Sequence, residues 1–406
     1  MYAPGSLASL RQRNLALVLQ AVRRLDATSR VDIVRATGLS RTTVSSLVAQ
    51  LVRDGLLVEA ADRPPATGLQ AGRPPTRLSL DPQGGVLLGV HLGHDVVRVA
   101  LADITGSVLE EDVSELDVDQ LPDAALALVT RTAAALLARA DVPPERLLCA
   151  GVAQSSPVPT SPGGGPQVLA AWQGVDVAGL LGTGLGVPVR VGNDANLGAV
   201  AERTFGAGRD TRHLLYVMLS DGIGAGLVLD SELYVGGAGT AGELGHVLVE
   251  PEGHLCRCGK RGCLETVAGT QALVRALGQA LRSGDGTALS LEDVLRGCAQ
   301  GDDRALRVVA DAGRAVGRAV ASAVMVLDPD LVVVGGTAAG AGEPLLAGLR
   351  EQLYRDLGPG AGRRLEVVAG QLGARAEVLG AVALALAHAP LPGGGPVQVP
   401  VQARVR

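Results

Sequence analysis

The chain has 406 residues, of which 47% are hydrophobic, with 36 Lys+Arg against 41 Asp+Glu. This length predicts two or three domains with enough chain to bury a core, and the 56 glycines and 22 prolines follow no period that would indicate collagen. No apolar stretch reaches the ~18 residues of a membrane span and the N-terminus has no secretory signal pattern. We therefore expect a cytoplasmic protein without a membrane partner.

Charge is distributed unevenly along the chain. Residues 1–80 contain 11 Arg and 5 Asp+Glu, a net charge of +6, so the total of −5 leaves −11 for residues 81–406. A small basic head on a large acidic body is typical of a DNA-reading module joined to a sensing or catalytic module. Chance clustering is the alternative, since arginine is by far the commoner basic residue everywhere in this chain.

Residues 10–55 predict three helices arranged as a helix-turn-helix. Apolar residues recur at helical spacing over 10–25, Ser29 and Ser40 can cap two further helices, and Gly38 between them suits a turn with positive φ. The third helix, from 41 to about 54, has one apolar stripe: Val44, Leu47, Val48 and Leu51. Its opposite face offers guanidinium and hydroxyl groups suited to phosphates and base edges in a major groove: Arg41, Thr42, Thr43, Ser45 and Ser46. We expect DNA binding; a structural or protein-binding three-helix unit is the alternative.

Residues 60–80 predict a wing and linker. Two short strands flank a loop rich in proline and glycine. In that loop Arg73 stands between Gly72 and Pro74, an arrangement in which an extended arginine can enter a narrow minor groove. The alternative for Arg73 is a solvated linker residue. Residues 1–80 are thus predicted to form a winged helix-turn-helix DNA-binding domain.

Residues 81–388 predict an α/β domain. A strand–turn–strand pattern covers 86–106 and a helix 122–139. Strands follow near 147–153 and 188–192, a strand pair near 213–230, a long helix near 303–327 and a buried strand from 331. This mixture favours ligand sites at strand ends. Residues 389–406 lack periodicity, which predicts a disordered tail.

Three cysteines crowded into eight residues predict a metal site rather than a disulfide framework. Cys256, Cys258 and Cys263 offer soft thiolates, and one histidine completes a Cys3His set. Such a set forms a closed tetrahedral zinc site, which is structural because no position is left for water. His246 and His254 are both candidates for the fourth ligand, and free thiols or a disulfide are the alternative.

Three motifs occur in a specific order: GIGAG at 222–226, AGELGH at 241–246 and CRCGKRGCLE at 256–265. The series resembles the ROK family, which groups bacterial sugar kinases with sugar-responsive transcription regulators of the NagC/XylR type. The resemblance covers residues from about 10 to 388. It implies that the α/β body is a two-lobed, actin-like domain of the sugar-kinase type with its cleft near 193–265. The winged helix-turn-helix in front is typical of the regulator branch.

The resemblance also implies a sugar site. Asn193 and Asp194 match the pair that holds sugar hydroxyls, and Asp194 matches the general base of the kinases. Glu243, His246 and Glu265 match the other sugar-contacting positions, and the family pattern makes His246 a metal ligand as well. Convergent carboxylates, amides and imidazoles are what a ring of hydroxyls requires. The alternatives are a strand-end turn for the Asn-Asp pair, a helix-start carboxylate for Glu243 and a solvated loop residue for Glu265.

The nucleotide site departs from the family's kinases, which carry an Asp-x-Gly-Gly-Thr-Lys turn after the first strand. His91, His94, Asp95 and Val96 stand here in place of the Asp, the second Gly, the Thr and the Lys, and Asp221 lies beside the second glycine loop. A carboxylate repels phosphate, and an imidazole is a poor substitute for a carboxylate directed at magnesium. We therefore expect neither ATP nor Mg²⁺ as cofactor and little phosphoryl transfer, with residual sugar kinase activity left open. An active ROK sugar kinase with an added DNA-binding domain is the alternative.

These features together predict a sugar-responsive transcription regulator, a repressor of carbohydrate-metabolism genes. Its expected partners are double-stranded operator DNA, a small-molecule sugar effector and further copies of the same chain. A homodimer or homotetramer is expected because one head of this size reads too few base pairs for genomic specificity. Sugar and operator are expected to oppose each other through one coupling free energy.

Overall fold

The computed structural model describes residues 7–25, 28–61, 76–156, 158, 170–281, 288–358 and 365–389. The head consists of three helices and a two-stranded sheet: α1 (Leu7–Leu25), α2 (Arg30–Thr37), α3 (Arg41–Arg53), β1 (Leu57–Ala61) and β2 (Thr76–Leu80). Ser29 and Asp32 form a capping box at the start of α2. Gly38 follows α2 with φ of 68°, as the predicted turn requires.

The core of the head is the predicted one. All four stripe residues of α3 are at most 2% exposed, and they pack with α1 and with Ile33 of α2. β1 and β2 pair antiparallel, as expected for the two strands of a wing. The loop between them, including Arg73, lies outside the described residues, as does the predicted tail from residue 390.

The first lobe of the body is a five-stranded mixed sheet with the order β5-β4-β3-β6-β7. Its strands are β3 (Val86–Leu92), β4 (Val96–Asp103), β5 (Val108–Glu115), β6 (Leu147–Gln154) and β7 (Val189–Asn193). Two helices cover one face of this sheet: α4 (Pro122–Arg139) and α5 (Val177–Leu185). β3, β6 and β7 run parallel, so their carboxyl ends meet at one edge.

The second lobe contains the other five-stranded sheet, with the order β10-β9-β8-β11-β12. Its strands are β8 (Leu214–Leu219), β9 (Ile223–Leu229), β10 (Glu232–Tyr234), β11 (Leu331–Gly335) and β12 (Glu366–Ala369). Its helices are α7 (Glu265–Ala268), α8 (Thr270–Leu281), α9 (Leu291–Gln300), α10 (Asp303–Leu327) and α11 (Glu343–Leu357). A separate apolar core joins α8, α10 and α11 to the sheet.

Two helices carry the chain between the lobes. α6 (Asp194–Phe205) leads from β7 of the first lobe to β8 of the second, and α12 (Ala376–His388) leads from β12 back onto the first sheet. The two crossing helices pack against each other. This is the expected two-lobed α/β fold behind an N-terminal helix-turn-helix. None of the helices in the described ranges has both the length and the apolar character of a bilayer crossing.

Candidate functional site

The first wall of the cleft is built where β6 and β7 end side by side. Gln154 pairs with Asn193 in the parallel register, and α6 begins at the next residue. Asn193 is the N-cap of α6: its Oδ1 accepts a hydrogen bond from the Asn196 N–H at 3.1 Å. Its Nδ2 donates to Asp194 Oδ1 at 3.0 Å. The strand end and the helix start together fix this Asn-Asp pair in one orientation.

Asp194 is a buried carboxylate with ordered partners. Its Oδ2 accepts a hydrogen bond from Ser155 Oγ at 2.6 Å, and its Oδ1 accepts one from the Ala195 N–H at 2.7 Å. Burial raises the pKa of Asp194, while these two hydrogen bonds and the nearby His94 act in the opposite direction. Such a group can accept a hydrogen bond from a sugar hydroxyl without reorganising.

The second wall comes from the second lobe and carries Glu243 and Glu265. Glu265 is the first residue of α7, and its Oε1 lies 3.0 Å from Nε of Arg257. Its side chain is only 11% exposed, so a solvated loop residue is the wrong description. Glu243 stands at the N-cap position of the short 3-10 turn Leu244–His246, but its side chain makes no capping hydrogen bond there. Burial and the charges of Asp194 and Glu265 raise the pKa of Glu243.

All five predicted sugar residues line one pocket between the two walls: Asn193, Asp194, Glu243, His246 and Glu265. The same pocket is also lined by residues that the sequence did not assign to the sugar, among them His94, Ser155, Met218 and Arg257. Ser155 could have been found from its place directly after β6, beside the Asn-Asp pair. Arg257 carried no such signal, because only the folding of the cysteine loop turns it toward Glu265.

The four predicted metal ligands form one cluster, in which the candidate ligand atoms all lie within 4.8 Å of one another. Nδ1 of His246 is 3.5 Å from Sγ of Cys256, and Sγ of Cys258 is 3.6 Å from Sγ of Cys263. A zinc–sulfur distance of about 2.3 Å implies tetrahedron edges of about 3.8 Å, close to these separations. The sulfur–sulfur distance is too long for a disulfide. The cluster could therefore hold a metal, and His254 is not among its members.

The two ring nitrogens of His246 face different partners. Nδ1 points to the cysteine cluster, whereas Nε2 lies 3.8 Å from Oε2 of Glu243 at the pocket. One imidazole can therefore serve the metal centre and the pocket together, which is the double role that the family resemblance implies. A metal held here would fix the loop of Glu265 against the turn of Glu243.

Side chains of the chain itself fill the place of the kinases' phosphate turn. Nδ1 of His94 lies 2.9 Å from Asp119 Oδ1, and Asp95 is close enough to Asp221 to raise its pKa, although burial contributes more. Burial lowers the pKa of His91 to about 3, so its ring is neutral. An anionic phosphate would meet the three carboxylates of Asp95, Asp119 and Asp221 here, with His94 and Arg257 as the neighbouring basic groups.

The predicted DNA face is open. Arg41, Thr42, Ser45 and Ser46 are exposed at the N-terminal half of α3, and Thr43 is half-buried. Ser40 Oγ accepts the Thr43 N–H at 3.1 Å and so caps the helix. Among the described residues Arg41 makes no ion pair, which leaves its guanidinium free for a ligand. Arg73, the remaining DNA-contact candidate, lies outside the described residues.

Two family models match the chain. The model described as "ROK family" matches residues 87–388, and that of the IclR helix-turn-helix domain matches residues 14–60. The xylose repressor of Caldicellulosiruptor bescii is 27% identical over 395 residues, covering 94% of this chain and 97% of the relative.

Two solved structures match different shares of this chain. A ROK family transcriptional regulator, homologous to the E. coli MLC protein, superposes with a TM-score of 0.76 at 26% identity, covering 93% of this chain and 97% of that one. A ROK family glucokinase from Streptomyces griseus, solved with glucose and AMPPNP, gives 0.65 at 28% identity. The match to the glucokinase spans 99% of that chain but 74% of this one. The match to the regulator therefore covers a larger share of this chain.

Proposed function

We propose, from the premise that this chain belongs to the ROK family, that it is a sugar-responsive DNA-binding repressor of carbohydrate-metabolism genes. One observation carries the proposal. The five residues that match the family's sugar-contacting positions line one pocket, whereas the turn that matches the kinases' phosphate turn carries His94 beside Asp95, Asp119 and Asp221. A head with an exposed arginine and hydroxyl face precedes this body.

DNA binding is assigned to α3 of the head, which would lie in a major groove. The contacting residues are Arg41, Thr42, Thr43, Ser45 and Ser46, with Arg73 of the wing as a minor-groove contact. We place the DNA-binding domain at 1–80, with the wing and linker at 60–80, the sensor domain at 81–388 and the tail at 389–406. Two or four copies of the chain would present paired heads to the operator in the cytoplasm.

The pocket favours an uncharged sugar. Three carboxylates line it, Asp194, Glu243 and Glu265, and its one arginine already pairs with Glu265. Carboxylates accept hydrogen bonds from hydroxyls but repel a phosphate group. Asn193 and His246 supply the neutral contacts. A zinc ion on His246 and the three cysteines would hold this wall in shape as a structural metal.

A sugar-panel experiment tests the proposal. The melting temperature of the full chain is measured with D-xylose, D-glucose and N-acetylglucosamine, and with the 6-phosphates of the two hexoses. A ligand that binds the native state raises the melting temperature by mass action. The proposal expects one free sugar to stabilise the protein more than any phosphate does. An operator is then selected from a random duplex library, and the same sugar must weaken its binding. Stabilisation by phosphates alone, or failure to select any duplex, contradicts the proposal.

A further inference from the structure

One of the points at which the head packs on the body is the carboxyl end of the crossing helix α12. Nη1 of Arg23 on α1 donates a hydrogen bond to the backbone oxygen of Leu386, at 2.8 Å. The last carbonyl groups of a helix have no partner within the helix, so this oxygen is free to accept. Leu386 also belongs to the same buried cluster as Val18 and Val22 of α1. Head and body therefore share one core at this point.

Arg23 is an unusual residue for such a core. Its Nε atom is enclosed and has no hydrogen-bond partner in the part of the chain that the structure describes. Desolvation lowers the pKa of its guanidinium to about 10. The negative end of the α12 dipole offsets part of this cost, but an apolar side chain would pack here with less penalty. Core stability alone does not account for the arginine.

The opposite end of α12 lies between the lobes. Glu377 in its first turn accepts a hydrogen bond from the hydroxyl of Tyr216, a fully buried residue on β8 of the second lobe, at 3.3 Å. Further along α12, Gly380 packs directly on the carbonyl oxygen of Leu197 in α6, leaving no room for a Cβ atom. The first residue of α6 is Asp194 of the pocket. A shift of α6 therefore displaces α12.

We propose that Arg23 is the positioning residue that couples the sugar pocket to the DNA-binding head. Lobe closure over a sugar moves α6 and α12, and the Arg23–Leu386 contact carries that movement to α1. Within the head, the guanidinium of Arg11 on α1 donates from Nη2 to Gln50 Oε1 on α3 at 2.6 Å, so α1 and the DNA-reading helix move together. This inference rests on the proposed function and adds the residue through which it is transmitted.

Two variants of the full chain test this coupling, and a third is their control. Arg23→Met keeps the length and apolar stem of the side chain but removes the hydrogen-bond donor, whereas Arg23→Lys keeps a charged donor. Arg13→Met is the matched control, because Arg13 is an exposed arginine on the same helix. The readouts are the affinity for the selected operator with and without the stabilising sugar of the panel, the sugar affinity, and amide hydrogen exchange of α1 and α6. In the unmodified protein we expect the sugar to weaken operator binding on the order of tenfold.

In Arg23→Met we expect that effect to fall to about twofold or less, with sugar affinity and the α6 exchange response unchanged. Arg23→Lys should keep part of the effect, and Arg13→Met all of it. If Arg23→Met binds no operator, amide hydrogen exchange of α1 is used as the readout instead. The proposed coupling then requires that addition of the sugar no longer changes the exchange of α1. A full response in Arg23→Met, or its complete loss in a folded Arg23→Lys, overturns the proposal. Absence of any sugar effect in the unmodified protein instead overturns the proposed function.

Discussion

Nε2 of His94 in the first lobe lies 3.4 Å from Nη1 of Arg257 in the second lobe. Nδ1 of His94 is hydrogen-bonded to Asp119, and Arg257 forms an ion pair with Glu265. Burial lowers the pKa of His94, but the hydrogen bond and charge of Asp119 outweigh it, so the net shift is upward. Four side chains thus span the cleft where a kinase would hold phosphate. We therefore expect this turn to bind a phosphoryl donor poorly.

Replacing the buried carboxylate of the pocket should remove sugar binding. Asp194→Asn keeps the shape but removes the charge that receives hydrogen bonds from Ser155 and Ala195. A hydrogen bond to a charged group contributes about 1.5–3 kcal/mol, so we expect sugar affinity to fall at least tenfold. Titration calorimetry measures it. Asp123→Asn, also in the first turn of a helix but exposed, is the control and should bind sugar normally. Unaltered affinity in Asp194→Asn would remove this residue from the sugar site.

The metal cluster should determine the stability of the second wall. Cys258→Ser removes one of the four candidate ligands, and Cys298→Ser changes a half-buried cysteine outside the cluster. Metal binding to a structural site contributes directly to folding free energy. We expect elemental analysis to find one zinc per chain, lost in Cys258→Ser together with a lower melting temperature and weaker sugar binding. Cys298→Ser should retain the zinc. A metal-free protein with an unchanged melting temperature contradicts the assignment.

A buried glutamate should make stability fall as pH rises. Burial raises the pKa of Glu377 from its usual 4.5 to about 7. Between these values the folded state binds more protons than the unfolded state, so the stabilisation is complete below pH 4.5 and is lost as pH rises through 7. Glu377→Gln cannot ionise. We expect its free energy of unfolding above pH 7 to exceed that of the unmodified protein by up to about 3 kcal/mol.

Urea unfolding at a series of pH values measures this difference. Glu366→Gln, an exposed glutamate on β12, is the control and should follow the unmodified protein across the range. Equal free energies for Glu377→Gln and the unmodified protein at pH 8 would show that Glu377 is not the titrating group.

No sugar-dependent ATP consumption is expected. The turn after β3 places His94 against Arg257 and surrounds it with Asp95, Asp119 and Asp221. Phosphoryl transfer depends on positioning and neutralising charge, and three carboxylates at this turn oppose an anionic phosphate. A coupled assay for ADP with D-glucose and magnesium should give the rate of a sugar-free blank, with an active ROK glucokinase as positive control. Brisk glucose-dependent turnover would support the kinase alternative.

The N-terminal residue of α3 should contribute to operator binding through a charged contact. Arg41→Ala removes an exposed guanidinium without touching the core of the head. We expect affinity to fall by about 1–3 kcal/mol if Arg41 reads a base, or the slope of log K against log salt to drop by about one if it contacts a phosphate. Fluorescence anisotropy with the selected duplex distinguishes the two. Arg307→Ala, an exposed arginine on α10 of the body, is the control.

Local patterns predicted the local structure well. The stripe on α3 and the caps at Ser29 and Ser40 depend on neighbours within a few residues, so the sequence predicts them directly. The long helix near 303–327 and the helix near 122–139 have the predicted bounds because helical periodicity is uninterrupted there. The strand predicted near 188–192 lies one residue later, at Val189–Asn193, and the amphipathic edge strand β5 was not predicted.

Contacts distant in sequence could not be predicted in the same way. The ordered motifs predicted that Asp194, Glu243 and Glu265 share a pocket, but only through resemblance to a family. Arg23 and Leu386 are 363 positions apart, and no local pattern indicates that they meet. Their contact depends on how α12 returns from the second lobe, which is a property of the whole topology.

Reciprocal linkage tests whether sugar sensing in the body controls DNA binding by the head. Sugar affinity is measured by calorimetry with and without the selected operator, and operator affinity by anisotropy with and without saturating sugar. Because coupling free energy is reciprocal, we expect each ligand to weaken binding of the other by the same factor. Tight sugar binding that leaves operator affinity unchanged, with operator equally without effect on sugar affinity, would contradict it.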